Sequence, residues 1–93
     1  MNSLADPRVL ELTPALSPMV RLQYETAQDS WVLLYPGGTV RFNGPASEIL
    51  QRCDGRHSVQ QMVNDLQEAF GESDLRDDVC AFVSDAYERG WLV

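Results

Sequence analysis

The chain of 93 residues contains no lysine, and its seven arginines face fourteen aspartates and glutamates. The formal net charge is therefore −7 at pH 7. Phosphate contacts dominate the affinity of proteins for nucleic acid, so a chain this acidic repels a phosphate backbone at ordinary salt. An anionic membrane surface is disfavoured for the same reason. The charge balance predicts that neither nucleic acid nor a membrane is the partner.

Cysteine and histidine are scarce, with two of the first and one of the second. Cys53 and Cys80 lie in predicted helices, outside any Cys-x-x-Cys or Cys/His cluster. We expect reduced, buried thiols, and a metal or redox role is the alternative. His57 lies in a predicted turn, a position that needs no catalytic explanation.

Catalytic signals are missing as well. The sequence shows no nucleophile with a recognisable base partner, no glycine-rich phosphate loop before a helix and no metal-ligand spacing. We expect no catalytic residue, no metal and no cofactor, and hence a chain that is not an enzyme.

Long hydrophobic runs are also absent. The first twenty residues lack the basic start and the continuous apolar stretch of a signal peptide. No run approaches the roughly 20 apolar residues that cross a bilayer. These features predict a cytoplasmic protein.

Residues 1–18 carry three prolines, Pro7, Pro14 and Pro18, and several leucines. Proline at this density opposes regular structure, so we expect an extended N-terminal arm. Its apolar residues predict packing against its own sheet or against another subunit. Residues 19–93 are predicted to form one small domain, near the lower end of sizes that fold without staples.

Three strands are predicted at the start of this domain. Residues 20–25 alternate apolar and polar side chains, which is typical of a strand with one buried face. Residues 31–35 are apolar on both faces, as in a central strand covered on both sides. Residues 36–38 (Pro-Gly-Gly) predict a turn, and 39–43 alternate again. The order predicts an antiparallel meander whose third strand is an edge.

Three helices are predicted to follow. Asn43 or Gly44 caps the first, and the next glycine-containing pair, Asp54-Gly55, ends it. Ser58 and Gln61 have the spacing of a capping box at the start of the second.

The third helix is predicted to begin at Ser73 or Asp74 and to end before Gly90. Asp74, Asp77 and Asp78 are expected in its first turn, where aspartates stabilise the helix dipole. The alternative is that these acids also attract a basic peptide. The predicted fold class is α+β and winged-helix-like, a three-stranded antiparallel β-meander followed by three α-helices.

This plan leaves three functions open. An edge strand beside an apolar helix can accept an extended peptide as an added strand. A winged-helix plan also suits a transcription regulator, which the acidic charge disfavours. Alternatively, the chain is a structural homodimer that pairs through its edge strand and arm.

Several runs of the sequence resemble the PqqD family, the peptide chaperones of pyrroloquinoline quinone (PQQ) biosynthesis. The similarity extends over about residues 14–93 and lies in the order and spacing of its parts. One position departs from the family, which commonly has glutamate where this chain has Gly37. The runs are Arg21-Leu22-Gln23, Val32-Leu33-Leu34-Tyr35-Pro36, Phe42-Asn43, Ala46, Ile49-Leu50, Asp54-Gly55, Asp78-Val79 and Gly90-Trp91.

The resemblance implies a non-catalytic recognition element for ribosomally made and modified peptides (RiPPs). Such a domain binds a precursor peptide (PqqA-like) and presents it to a radical S-adenosylmethionine (SAM) enzyme (PqqE-like), which cross-links a glutamate and a tyrosine of the peptide. The resemblance implies a peptide lying between the third strand and the third helix. By position, the strand side is Thr39, Val40, Arg41, Phe42 and Asn43, and the helix side is Leu75, Asp78, Val79, Phe82 and Val83.

Overall fold

The computed structural model describes residues 7–42 and 44–93. A sheet of three antiparallel strands in the order β1-β2-β3 is followed by three helices, which confirms the predicted fold class. A short helical turn, α1, precedes the sheet, and a 3₁₀ turn at Thr26–Gln28 joins the first two strands. The elements are α1 (Pro7–Leu10), β1 (Arg21–Glu25), β2 (Ser30–Tyr35), β3 (Gly38–Phe42), α2 (Pro45–Gln51), α3 (Val59–Phe70) and α4 (Arg76–Glu88).

The register of the sheet decides which side chains enter the core. Leu33 in β2 lies opposite Leu22 on one side and Val40 on the other, so these three share one face. Leu33 is fully buried in the main hydrophobic cluster, whereas Val32 and Leu34, on the opposite face, are only half-buried. The expectation that both faces of the central strand are covered is therefore wrong for the outer face.

Helices α2, α3 and α4 supply most of the core on the inner face of the sheet. The capping box at the start of α3 is present: Ser58 Oγ accepts a hydrogen bond from the Gln61 backbone N–H, and Gln61 Oε1 accepts one from the Ser58 N–H. Helix α3 ends at Gly71, in the left-handed region that suits glycine. The fully or nearly buried apolar side chains of these helices are Ile49, Leu50, Val59, Met62, Val63, Leu66, Val79, Cys80, Val83 and Ala86.

Helix α2 starts where the proline predicts. Gly44 is its N-cap and Pro45 opens the first turn, while Asn43 lies outside the described residues. The helix ends sooner than expected, with Arg52 as its C-cap. Cys53 is still buried, and its thiol donates a hydrogen bond to the Ile49 carbonyl at 3.2 Å.

Helix α4 begins later than the sequence predicts. Its N-cap is Leu75, without a side-chain capping bond, and Asp74 precedes it at φ +75°. The Leu75 N–H instead donates to Gln67 Oε1 of α3 at 2.9 Å, and the Leu75 side chain packs against the core. Neither Ser73 nor Asp74 is the cap, and the acids of the first turn are Asp77 and Asp78. The hydrogen bond to Gln67 and the partial burial of Leu75 therefore fix the start of the helix.

The N-terminal segment lies against its own domain. It is not extended throughout, because Pro7–Leu10 forms a helical turn. Ala15 and Val93 exchange two backbone hydrogen bonds, of 3.1 and 2.8 Å, and Leu16 bridges to Leu92. The division of the chain at residue 18 stays a prediction. Within the described ranges, none of the helices has the length and apolar character to cross a membrane.

Candidate functional site

The outer edge of β3 is the first component of the site. β3 pairs with β2 through a register that runs from Tyr35 opposite Gly38 to Trp31 opposite Phe42. On its other side, no strand of the described chain pairs with it. Thr39 and Arg41 are exposed, whereas Val40 and Phe42 are half-buried against the core. This edge offers backbone donors and acceptors with polar side chains on one face and apolar ones on the other.

An aromatic cluster joins β3 to α4. The Phe42 ring lies edge-on to Phe82 at 5.8 Å between centroids and to Trp91 at 5.7 Å. Such edge-to-face pairs are favourable beyond the area they bury, typically by about 0.5–1.5 kcal/mol. They hold the C-terminal end of the edge strand against the middle of the helix. An aromatic cluster therefore lies at this end of the predicted groove between β3 and α4.

The five predicted residues of the helix side differ in their exposure. Leu75 and Phe82 are half-buried, and Asp78 is exposed, so all three reach the surface. Val79 is 3% exposed and Val83 is fully buried. Val83 therefore supports the groove from beneath, and its side chain has no surface to offer a peptide. On the strand side, Asn43 lies outside the described residues.

A cavity of about 190 Å³ opens beside these residues, between α2, α3 and α4. Four of the predicted helix-side residues line it, namely Leu75, Asp78, Val79 and Phe82. Sequence reasoning missed the rest of the lining, because the α2 stripe indicated only core packing. The additional residues are Pro45, Ala46 and Ile49 of α2 and Leu66 of α3.

The turn around His57 is structural. Asp54 Oδ1 accepts hydrogen bonds from the backbone N–H groups of Arg56 and His57 and lies 3.1 Å from His57 Nδ1. The hydrogen bond from the His57 side chain, followed by that from the Arg56 backbone, lowers the pKa of Asp54. These contacts close the connection between α2 and α3 and account for both side chains.

The two cysteines are free and buried. Burial, and then the nearby Asp54 charge, raises the pKa of the Cys53 thiol to about 12. Burial also raises the pKa of Cys80. Since the thiolate is the reactive form, neither thiol is activated at neutral pH. In the described part of the chain, no three His, Cys, Asp or Glu residues are grouped so as to hold a metal ion.

Comparison with known proteins gives a consistent picture. The sequence model described as "Coenzyme PQQ synthesis protein D (PqqD)" matches residues 30–92. A relative from Azotobacter vinelandii, named PqqA binding protein, is 44% identical over 80 residues, covering 85% of this chain and 87% of its own. A protein of the same name from Methylococcus capsulatus is 38% identical over 77 residues, covering 83% of each.

A solved structure has the same fold. It is the solution NMR structure of the PqqD part of Methylobacterium extorquens PqqCD, described as a functional, stand-alone RiPP recognition element. The TM-score is 0.70 at 25% sequence identity, and the match covers 86% of this chain and 87% of the other. The sheet and the helices of this chain are thus arranged as in that domain.

Proposed function

The chain belongs to the PqqD family, and we propose that it is a peptide chaperone of PQQ biosynthesis that binds the ribosomal precursor peptide PqqA by strand addition to β3. The observation that carries this proposal is the free outer edge of β3 beside α4. Strand addition supplies affinity through main-chain hydrogen bonds, and pockets beside the strand supply selectivity. The peptide lies along Thr39, Val40, Arg41 and Phe42, facing the surface of Leu75, Asp78 and Phe82, with Val79 and Val83 beneath.

The role is non-catalytic. The chain holds the precursor peptide extended and presents it to a radical SAM enzyme, which cross-links a glutamate and a tyrosine of the peptide. This step takes place in the cytoplasm, where ribosomal peptides are made. Support comes from the named relatives and from buried thiols whose raised pKa makes them poor nucleophiles.

The register of the hairpin indicates which groups of β3 face the guest peptide. A β-turn is commonly closed by a hydrogen bond between its first and fourth residues, here Tyr35 and Gly38. Hydrogen-bonded and non-hydrogen-bonded pairs alternate along antiparallel strands. Thr39 and Arg41 then fall at non-hydrogen-bonded positions and direct their N–H and C=O groups away from β2.

Substitution of Arg41 tests strand addition directly. Arg41→Pro removes an outward N–H, and the loss of a ladder bond together with local distortion should weaken binding of synthetic PqqA by about tenfold or more. Arg41→Ala keeps the backbone donor and serves as the matched control, with an expected change of about twofold at most. Isothermal titration gives the affinities, and circular dichroism confirms that both variants fold.

Two results would contradict the proposal. If Arg41→Pro folds and binds PqqA as tightly as the unchanged chain, the peptide does not add to β3. If the unchanged chain does not bind PqqA at all, the function itself is wrong.

Self-association is the rival use of the same edge. A homodimer paired through β3 would fill the site and compete with the peptide. Sedimentation of the chain with and without PqqA distinguishes the two, because only the dimer dissociates when peptide is added. The transcription-regulator alternative is opposed by the net charge of −7.

A further inference from the structure

The cavity between α2, α3 and α4 has an open mouth and a closed floor, and we name it the anchor cavity. Its floor is Ile49, Leu66 and Val79, each at most 4% exposed. Its mouth is formed by residues that reach the surface: Pro45, Ala46, Leu75, Asp78 and Phe82. We infer that the precursor peptide inserts one apolar side chain into the anchor cavity and places a positively charged residue beside it, against Asp78. This inference rests on the proposed function.

The size and lining of the anchor cavity define the class of side chain. Its volume is about 190 Å³, and seven of its eight lining residues are apolar. A cavity of about 150 Å³ with a similar apolar lining stays dry and binds benzene. The anchor cavity therefore accommodates one side chain of the size of leucine, isoleucine or phenylalanine and excludes a charged one.

The position of the anchor cavity makes it continuous with the edge of β3. Phe82 lines the cavity and also contacts Phe42, the last residue of β3, edge-on. Pro45 and Ala46 open α2 just after this strand and also line the cavity. A peptide that leaves β3 at its C-terminal end thus passes over Phe82 and meets the mouth. The cavity extends the site from the strand–helix groove onto α2.

The charge of Asp78 selects the peptide residue that lies next to the anchoring side chain. Of the described residues that line the cavity, Asp78 alone is charged, and it is exposed at the mouth. Asp77 precedes it in the same helical turn and is not part of the lining. A lysine or arginine next to the apolar anchor can pair with Asp78 while its neighbour is buried, whereas an acid there would be repelled.

Filling the anchor cavity should block the peptide. Ala46→Leu places a larger apolar side chain at the mouth, and losing the burial of one peptide side chain corresponds to about a tenfold to hundredfold weaker affinity. Ala69→Leu makes the same change at an exposed site of α3 outside the cavity and should leave the affinity within about twofold. Titration with synthetic PqqA measures both, after thermal melts show that both variants fold.

Removing the charge of Asp78 should weaken the binding of PqqA to an extent that depends on the salt concentration. Asp78→Asn removes the carboxylate that faces the cavity, with an expected loss of about twofold to fivefold at low salt that disappears at high salt. Asp77→Asn is the matched control, because both aspartates lie in the first turn of α4 and share its dipole. Equal effects of the two substitutions would show that Asp78 has no special role and would overturn the charge part of the inference.

A double-mutant cycle identifies the peptide residue. Alanine replacement along PqqA should reveal one apolar position whose loss costs at least about tenfold with the unchanged chain and little with Ala46→Leu. With the unchanged chain alone, the scan still tests whether one apolar position of PqqA dominates the affinity, even if Ala46→Leu misfolds. If no apolar position behaves in this way, or if Ala46→Leu leaves PqqA affinity unchanged, the cavity does not take the peptide.

The outcomes separate this inference from the proposed function. Loss of binding in Arg41→Pro with full binding in Ala46→Leu retains strand addition and rejects the anchor cavity. If Ala46→Leu instead lowers only the dimeric fraction or only the rate of peptide cross-linking, a second copy or the modifying enzyme occupies the cavity, and the inference is wrong.

Discussion

At the scale of the residue, adjacent apolar residues have different roles because the backbone turns their side chains to different sides of a strand or a helix. Leu33 and Leu34 are adjacent leucines in β2, yet Leu33 is fully buried and Leu34 is half-buried on the outer face. Val83 and Phe82 show the same contrast in α4, where the first is core and the second reaches the groove. All four residues are apolar, so residue type does not distinguish them. Their burial in the folded chain decides which ones a partner can contact.

Alanine substitution of the two leucines measures this contrast. Leu33→Ala should lower the free energy of unfolding by about 2–5 kcal/mol, because a cavity opens in the centre of the core. Leu34→Ala removes the same atoms from a half-buried position and should cost less than about 1 kcal/mol. Urea unfolding followed by circular dichroism gives both values. Equal costs would mean that the outer face of the sheet is packed as tightly as the inner one.

At the scale of the element, the sequence predicted a helix start correctly where the capping residues lie close together in the chain. The capping box of α3 involves two residues three positions apart, and it is present as predicted. The start of α4 was predicted wrongly, because it depends on Gln67 of another helix and on burial of Leu75. Ser73 is a residue type that often caps helices, but it does not lie at the N-cap position of α4.

Two serine substitutions distinguish the true cap from the apparent one. Ser58→Ala removes the side-chain acceptor of the capping box and should cost about 1 kcal/mol of stability. Ser73→Ala lies before a helix that has no side-chain cap and should change stability by less than about 0.5 kcal/mol. Thermal or urea unfolding checks both. A cost at Ser73 as large as that at Ser58 would show that it caps α4 in solution.

At the scale of the whole molecule, segments far apart in sequence close the domain. Ala15 exchanges two backbone hydrogen bonds with Val93, and Ser17 donates one to the Trp91 carbonyl at 2.8 Å. Trp91 and Leu92, next to these hydrogen bonds, are buried in the core. Because Trp91 also contacts Phe42, this closure lies against the aromatic cluster that joins β3 to α4.

Amide hydrogen exchange tests the closure. The amides of Ala15, Ser17 and Val93 should exchange slowly, since each donates a backbone hydrogen bond inside this closure. The buried Met62 in α3 is the reference for global opening. Rates at Ala15 and Val93 that are orders of magnitude above the Met62 rate would show that the closure opens separately from the core.

The amino-acid sequence by itself determined the order of strands, turn and helices, the acidic charge and the likeness to the PqqD family. These follow from local periodicity, from turn and capping residues and from the sum of charges, none of which requires knowledge of distant contacts.

Only the tertiary structure decided which of the proposed site residues reach a partner. It buried Val83, moved the start of α4 to Leu75 and brought Ala46, Leu66 and Phe82 together around one cavity. These three residues lie on separate helices, so no spacing along the chain records their proximity. Burial and cavities arise from the packing of distant segments, and that packing is settled only when the whole core closes.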